Sequence, residues 1–186
     1  MRSKKWITER SQIFIMKLIN CNLSDAKLLF KIHRESASKG YLRSASPNPS
    51  FKTWKLWLRH KLFISKSKIF IGKIKNYKFG YTRFDHIDKK NYEVSIGILS
   101  KNYNEGLGTK LLKLSIKKFT KIYKPKKIVC LIIKTNKRSE QCFKKNNFKL
   151  IKFNKRKHKT HNTLNLQKDN YFEYFERNKF KSYTKY

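Results

Sequence analysis

Gly106-Leu107-Gly108 stands where a strand-like apolar pattern gives way to the pattern of an amphipathic helix. A helix start carries four N–H groups without internal acceptors and the positive end of the helix dipole, and glycines let an anion approach that backbone closely. The chemistry this arrangement suits is the binding of a phosphate or diphosphate. It is not a Walker loop, which needs GxxxxGK[ST], nor a dinucleotide fingerprint, which needs a third glycine after a first strand. G-x-G alone also serves as a turn, so the position between strand and helix is what favours an anion site. Gly97, inside the preceding strand, is a second marker, because strand glycines accompany bulges or close backbone approaches. A bulge there would part the strand from a parallel neighbour and leave N–H and C=O groups for an extended ligand; a plain irregularity is the alternative.

The elements that must position these residues follow from periodicity. Ile13–Ile19 reads as a first strand, and Ser24 as the cap of a helix over about Asp25–His33 with Ala26, Leu28, Leu29 and Ile32 inward. An irregular segment from Arg34 to Ser50 follows, broken by Pro47 and Pro49, and Ser50 caps a second helix reaching about Phe63. Trp54, Trp57, Leu58 and Leu62 share one side of that helix and are expected mainly in the core. Lys68–Ile74, Tyr77–Asp85 and Tyr92–Ile98 form an antiparallel meander, with Tyr92, Val94, Ile96 and Ile98 on one face of the third strand and Glu93, Ser95 and Gly97 on the other. The next helix places Leu111, Leu112, Ile116, Phe119 and Tyr123 inward and Lys110, Lys113, Lys117 and Lys121 outward. Val129–Ile133, without polar alternation, is a strand covered on both faces, which makes a right-handed βαβ unit. A short helix over Ser139–Lys145, a strand at Phe148–Phe153 and a last antiparallel strand at Tyr171–Phe175 complete the expectation. The class is α/β (α+β), a mixed sheet of about 6–7 strands with about four helices.

The chain has 186 residues and a formal net charge of +36, with 39% hydrophobic and 15% aromatic residues. That is enough apolar material for one folded domain and too much for a disordered polycation. Lysine outnumbers arginine 38 to 9, and Asn and Ile are also abundant. These residue types use A/T-rich codons, and the lysines fall on every expected solvent face, so base composition explains the charge better than a dedicated nucleic-acid surface, which favours arginine forks. The densest basic run, Lys155–Lys159, belongs to an expected loop. Cys21, Cys130 and Cys142 form no CxxC pair and suit a reducing, cytoplasmic setting. His158 and His161 lack carboxylate or cysteine partners nearby, so no metal is expected. The apolar run Ile13–Ile19, interrupted by Lys17, is far too short to span a bilayer.

Tyr103-Asn104-Glu105-Gly106-Leu107-Gly108, followed by Asn136-Lys-Arg-Ser139-Glu-Gln-Cys-Phe143-Lys-Lys-Asn-Asn147-Phe148, resembles the GCN5-related N-acetyltransferase family, with its [Q/R]-x-x-G-x-[G/A] and N-x-x-[A/S]-x-x-x-[Y/F]-x-K-x-G-F motifs. The likeness runs from about Met16 to Asn154, leaving residues 1–15 as an extension and 155–186 as a basic loop with a last strand. The runs SFKTWKLWLRHKL and GYTRFDHIDKKNYEVSIGIL are similar to the branch that acetylates nucleotide-linked aminosugars, as in pseudaminic acid synthesis. Tyr103 replaces the usual Gln or Arg, and Glu105 puts an acid into an anion-binding loop, for which Lys101 or Lys110 would compensate.

The resemblance implies acetyl-CoA as acyl donor, a small-molecule acceptor amine and direct attack without a covalent enzyme intermediate; a homodimer is left open. It implies a cofactor site made by Ile96 and Ile98 on the strand, by Tyr103, Asn104, Glu105 and Gly106 in the loop, by Leu107, Gly108 and Thr109 at the helix start, and by Asn136, Ser139 and Phe143 beyond. Glu93 is the first candidate for the base that deprotonates the amine, Asp85 the second, and His86 a weaker third. A backbone N–H near Ile98 would serve the oxyanion. Phe143 stands where relatives carry a tyrosine, so no side-chain acid is expected there. Arg34, Lys39 and Arg43, with Tyr81 and Arg83, are the acceptor-side candidates. Acetylation of a protein N-terminus or lysine, nucleic-acid binding without catalysis, and a degenerate fold that no longer binds acetyl-CoA are the alternatives.

Overall fold

The computed structural model describes residues 15–42, 48–65, 67–151 and 172–178. The expected basic loop, with its His158 and His161, lies outside the described residues, as do Arg43 and residues 1–14. The chain runs β1 (Met16–Asn20), α1 (Ala26–Ala37), α2 (Phe51–Arg59), β2 (Lys68–Ile74), β3 (Tyr77–Asp88), β4 (Asn91–Ile98), α3 (Leu107–Tyr123), β5 (Lys127–Ile133), α4 (Lys137–Lys144), β6 (Lys149–Ile151) and β7 (Phe172–Asn178).

Local chemistry sets most of these limits. Ahead of α1, the Asn22 side chain accepts from the Ser24 N–H at 2.9 Å while Asp25 accepts from the Asn22 N–H at 3.0 Å, a reciprocal cap. Asn22 and Asp25, not Ser24, therefore start that segment. Ser50 Oγ accepts from the Thr53 N–H at 3.1 Å and caps α2 as expected. Where the periodicity predicts α-helix through Phe63, the chain makes one π turn at His60–Ile64. Asn136 Oδ1 accepts from the Ser139 N–H at 3.1 Å, so α4 begins two residues before the expected Ser139. Asn147, beyond its end, takes φ 64°, a left-handed conformation that asparagine tolerates better than most residues.

The sheet has seven strands in the order β1-β2-β3-β4-β5-β7-β6. β1 to β4 are antiparallel neighbours, β4 and β5 are parallel, and β7 pairs antiparallel with both β5 and β6. One face is covered by α3: Phe84 stacks on Phe119 with centroids 4.0 Å apart, beside Val94, Leu112, Ile116 and Ile128. The other face receives α1 and α2 through Leu29, Ile32, Trp54 and Leu58, packed on Ile69, Ile71 and Tyr81. Alternation along β2, with Ile69 and Ile71 in one cluster and Phe70 in the other, follows from the period of two in a pleated strand. Each large apolar side chain buried in this way contributes about 1.5–3 kcal/mol.

The consequential feature is where β4 and β5 stop pairing. Their parallel ladder joins Asn91, Tyr92 and Glu93 to Lys127, Ile128 and Val129, and no pairs follow. β5 continues beside β7 to Ile133, and β4 continues beside β3 to Ile98. The two strands fork, and the β5-facing backbone groups of Val94–Ile98 are released from the ladder. The expected parting is present, but the expected bulge at Gly97 is not. Gly97 pairs in register with Tyr81, and the register shift in that ladder falls between His86 and Asp88. Glycine is needed for packing instead: a Cβ at 97 would lie 2.6 Å from the Tyr81 ring and 2.7 Å from Ile32.

Candidate active site

A cleft of about 620 Å³ opens into the fork. It draws walls from α1 and α2, from β3, β4 and β5, from the loop after β4, and from α4. One end is the start of α3. Gly106, with φ 72°, precedes the helix, and the first helical bond runs from the Lys110 N–H to Gly106 O at 3.1 Å. Leu107, Gly108 and Thr109 thus present N–H groups without an intrahelical acceptor, and no side chain caps them. Asn104, φ 67°, and Gly106 are both left-handed, which curls the loop around its own amides. A Cβ on Gly106 would meet nothing within 4 Å. Such a pocket of amides fits a diphosphate through backbone donors.

The other half is aromatic. His33 and Trp54 lie 4.2 Å apart by ring centroids, Trp54 and Trp57 stack at 4.4 Å, and the Arg83 guanidinium sits 5.0 Å over Trp57. Arg83 Nε donates to Asp85 Oδ2 at 2.7 Å, and Asp85 Oδ1 accepts from Ser67 Oγ at 2.6 Å and Lys61 Nζ at 3.0 Å. Burial pushes the Asp85 carboxyl up, but the Arg83 guanidinium, the Ser67 hydroxyl and Lys61 outweigh it and hold the group below its ordinary value. Burial likewise works against the Arg83 charge, and Asp85, together with Tyr81 and Glu93, more than restores it.

Of the residues expected at the site, Glu93, Tyr81, Arg83, Ile96, Ile98, Tyr103, Asn104, Gly106, Gly108, Thr109, Asn136, Ser139 and Phe143 line this cleft together. Asp85 does not; it is committed to the ion-pair network behind Arg83. Nor does Glu105, whose carboxylate accepts from Asn102 Nδ2 at 3.4 Å and is exposed, or Leu107, which packs with Met16, Phe79 and Leu111. Arg34 is exposed and lies 5.9 Å over the Phe30 ring. His86 bonds Lys89 O at 2.9 Å on the exposed β3–β4 turn. Trp54 belongs to the core cluster and Trp57 packs against it, as expected, and both also line the cleft; sequence reasoning missed His33, Tyr41, Arg138 and Cys142 there. The i, i+3 tryptophans on an otherwise basic helix were the available signal.

Glu93 is half-buried and lines the cleft at the fork. Its charge is felt by Cys130, whose thiol is pushed well up, first by burial and then by Glu93. Cys142 lines the cleft, and burial raises its thiol as well, against smaller opposing effects of Thr109 and Lys145. Phe143, 2% exposed, packs edge-on against Phe148. Glu93 is the one carboxylate on the cleft wall among the described residues, against Arg83, Arg138 and Lys145. Within those residues no group of three His, Cys, Asp or Glu could hold a metal ion, and no helix is long and apolar enough to cross a membrane.

No family model matches the sequence, and no curated protein matches it. Solved structures do match. A ribosomal L7/L12 alpha-N-protein acetyltransferase, RimL, in complex with coenzyme A superposes with TM-score 0.70 at 12% identity, covering 88% of this chain and 93% of that one. Spermidine N-acetyltransferase from Vibrio cholerae, with CoA and spermine, gives 0.66 at 14% identity over 74% and 82% of the two chains. The Campylobacter jejuni N-acetyltransferase PseH, with acetyl coenzyme A, gives 0.62 at 19% over 89% and 100%. The fold is the one these acetyltransferases share.

Proposed function

We propose that this chain is an N-acetyltransferase that transfers the acetyl group of acetyl-CoA to the amine of a small acceptor, and that the acceptor is a nucleotide-linked aminosugar. The observation that carries the reading is the fork after Glu93 and Val129, opening beside the uncapped amides of α3 in one continuous cleft. The fold likeness supports it, since the three matched acetyltransferases are solved with CoA or acetyl-CoA.

Acetyl-CoA supplies a thioester whose thiol, with an ordinary pKa near ~8.5, leaves without a strong acid. The amides of Leu107, Gly108 and Thr109 hold its diphosphate, and released N–H groups of β4 are positioned to donate to the thioester carbonyl. Asn136 and Ser139 line the same cleft just beyond the end of β5, and Phe143 contributes packing and no proton. Glu93 accepts the proton of the acceptor ammonium, which must be lost before nitrogen can attack. Cys142 remains a neutral thiol and does not serve as an acyl carrier.

The charge on the wall selects the acceptor. A polyamine needs several carboxylates, whereas Arg83, Arg138 and Lys145 against Glu93 repel a polycation and attract an anion. The tryptophan wall suits the apolar face of a sugar or a base. Calorimetry with acetyl-CoA, followed by thiol release with UDP-linked amino-dideoxysugars, with spermine and with peptides, tests this. Turnover confined to the UDP-linked amines is expected. Absence of acetyl-CoA binding would overturn the enzyme reading, and turnover of spermine or peptides in their place would overturn the acceptor.

A further inference from the structure

Tyr81 is a buried phenol whose hydroxyl is left open. The residue is 9% exposed and lines the cleft, and no described residue hydrogen-bonds its hydroxyl, whereas a tyrosine so deeply placed normally finds a partner. Arg83 and Asp85, on the same face of β3, act on it through their charges.

The ring reaches across the ladder toward the fork. A Cβ on Gly97 would lie 2.6 Å from Tyr81 Cε1 and 3.1 Å from Cζ, so the hydroxyl end of the ring, and not its root, covers residue 97. Only a residue without a side chain leaves that room. The Leu99 N–H donates to Phe79 O at 2.9 Å, and Tyr81 and Gly97 pair two residues further along the same antiparallel register. In such a ladder alternate residues bond the same neighbour, so Gly97 turns its N–H toward β3 while Ile96 and Ile98 turn theirs toward β5. The pairing of β4 with β5 ends before that point. Ile96 and Ile98 thus offer donors in the plane of the sheet, and the phenol stands over the same stretch from the face that α1 and α2 cover. A carbonyl oxygen has two lone pairs, and two donors from different directions hold it best as charge grows on it.

We propose that the Tyr81 hydroxyl is a catalytic donor, binding the thioester oxygen of acetyl-CoA together with a β4 amide as the tetrahedral adduct forms. This rests on the acetyl-CoA reading above and adds to it a side-chain hydroxyl that Phe143 does not supply. The acceptor nitrogen, having given one proton to Glu93, bonds to the carbonyl carbon, and the C=O π pair moves to oxygen, where Tyr81 and the amide hold it. When that pair returns, the C–S bond breaks and its electrons leave with the thiolate. The adduct nitrogen sheds its extra proton to water, the thiolate takes one from water, and Glu93 releases the one it took. Tyr81 keeps its own proton throughout. Burial raises the phenol above its ordinary value of about 10, against the smaller opposing pull of Arg83, so a thiolate whose acid has a pKa of about 8.5 is too weak a base to take it.

Tyr81→Phe tests this, because it keeps the ring over Gly97 and removes only the hydroxyl. On the full chain, calorimetry with acetyl-CoA should give the wild-type dissociation constant, and the melting temperature should not fall, since no described residue loses a bond. Thiol release with a UDP-linked amino-dideoxysugar should show kcat lower by about 10²–10³-fold with the acceptor KM unchanged. A second readout needs no acceptor. The infrared C=O stretch of bound acetyl-CoA, isotopically labelled at the carbonyl carbon, should lie at higher frequency in Tyr81→Phe than in wild type, because a carbonyl that loses a donor is less polarised. Equal stretch frequencies in the two proteins would overturn the proposal, as would an unchanged kcat. A raised acceptor KM with kcat intact would assign the hydroxyl to the acceptor and overturn it as well. Failure of the wild type to bind acetyl-CoA would instead overturn the acetyl-CoA reading, and this role with it.

Discussion

Glu93 pairs with Val129 at the last register at which β4 and β5 are joined. The carboxylate thus stands at the vertex of the fork, on the sheet face that α1 and α2 cover, in the same ladder as Arg83 and Tyr81. On the acetyl-transfer reading proposed above, the vertex is where an acceptor from the aromatic half would meet a donor lying along the released edge of β4.

Glu93→Gln keeps the shape of this group and removes its basicity. A positioned general base contributes typically 10²–10⁴-fold. The substitution is therefore expected to lower kcat by about that factor while leaving the dissociation constant for acetyl-CoA near the wild-type value, as steady-state kinetics and calorimetry would report. Unchanged kcat would remove Glu93 from the chemistry.

Asp85, its partner across the β3–β4 ladder, has a different task. Asp85→Asn is expected to destabilise the fold by about 1–3 kcal/mol at pH 7, since it leaves Arg83 and Lys61 without their carboxylate while the site is still partly solvated. Its carboxyl is held below the ordinary value in the folded state, so its contribution is complete above about pH 4 and is lost as pH falls through the folded value. Urea melts of both proteins should show a gap that is constant from pH 5 to 8 and narrows below about pH 4.

The fold was largely legible because its signals are local. The inward stripe Leu111, Leu112, Ile116 and Phe119 appears in the sequence with helical period and is buried in the structure. The unalternating β5 is covered on both faces at its start, with Ile128 and Cys130 buried in the α3-side cluster and Val129 buried on the opposite face, and the G-x-G did mark a helix opening onto the cleft. What failed to show was pairwise geometry. Gly97 signalled a close approach, but sequence alone could not say whether the approach was a bulge or the Tyr81 and Ile32 side chains. Asp85 and Glu93 are equivalent as carboxylates on adjacent strands, and only the positions of Ser67, Lys61 and Arg83, distant in sequence, separate an ion-pair anchor from a cleft residue. Arg138 looked like any surface arginine until Tyr103 was beneath it.

Gly97→Ala tests the packing account of that glycine. The added methyl would come within 2.7 Å of both the Tyr81 ring and Ile32, neither of which has room to withdraw from a buried cluster. Overpacking of this kind costs about 1–3 kcal/mol. A lowered denaturation midpoint with an unchanged m-value is expected, together with a raised KM for the acceptor because Tyr81 lines its half of the cleft. A neutral effect on stability would mean that the strand yields there and would restore the bulge.

Gly106 and Gly108 separate conformation from occupancy. Gly106 is left-handed, so Gly106→Ala strains the backbone by about 1–2 kcal/mol although its methyl would meet no protein atom within 4 Å. A Cβ on Gly108 would lie 3.5 Å from Ile98 and 3.9 Å from Cys142 and Ile96, ordinary contacts that demand no glycine for packing. No contact among the described residues demands the small residue at 108; the diphosphate proposed to lie over the first turn of α3 would, because Gly108 lines the cleft beside those amides. Gly108→Ala should therefore leave the melting temperature within a few degrees of wild type while CoA affinity falls about tenfold, a difference of ~1.4 kcal/mol. Gly106→Ala should lower the melting temperature first. Equal loss of stability in the two variants, with CoA affinity intact in Gly108→Ala, would mean that the start of α3 is a turn and holds no diphosphate.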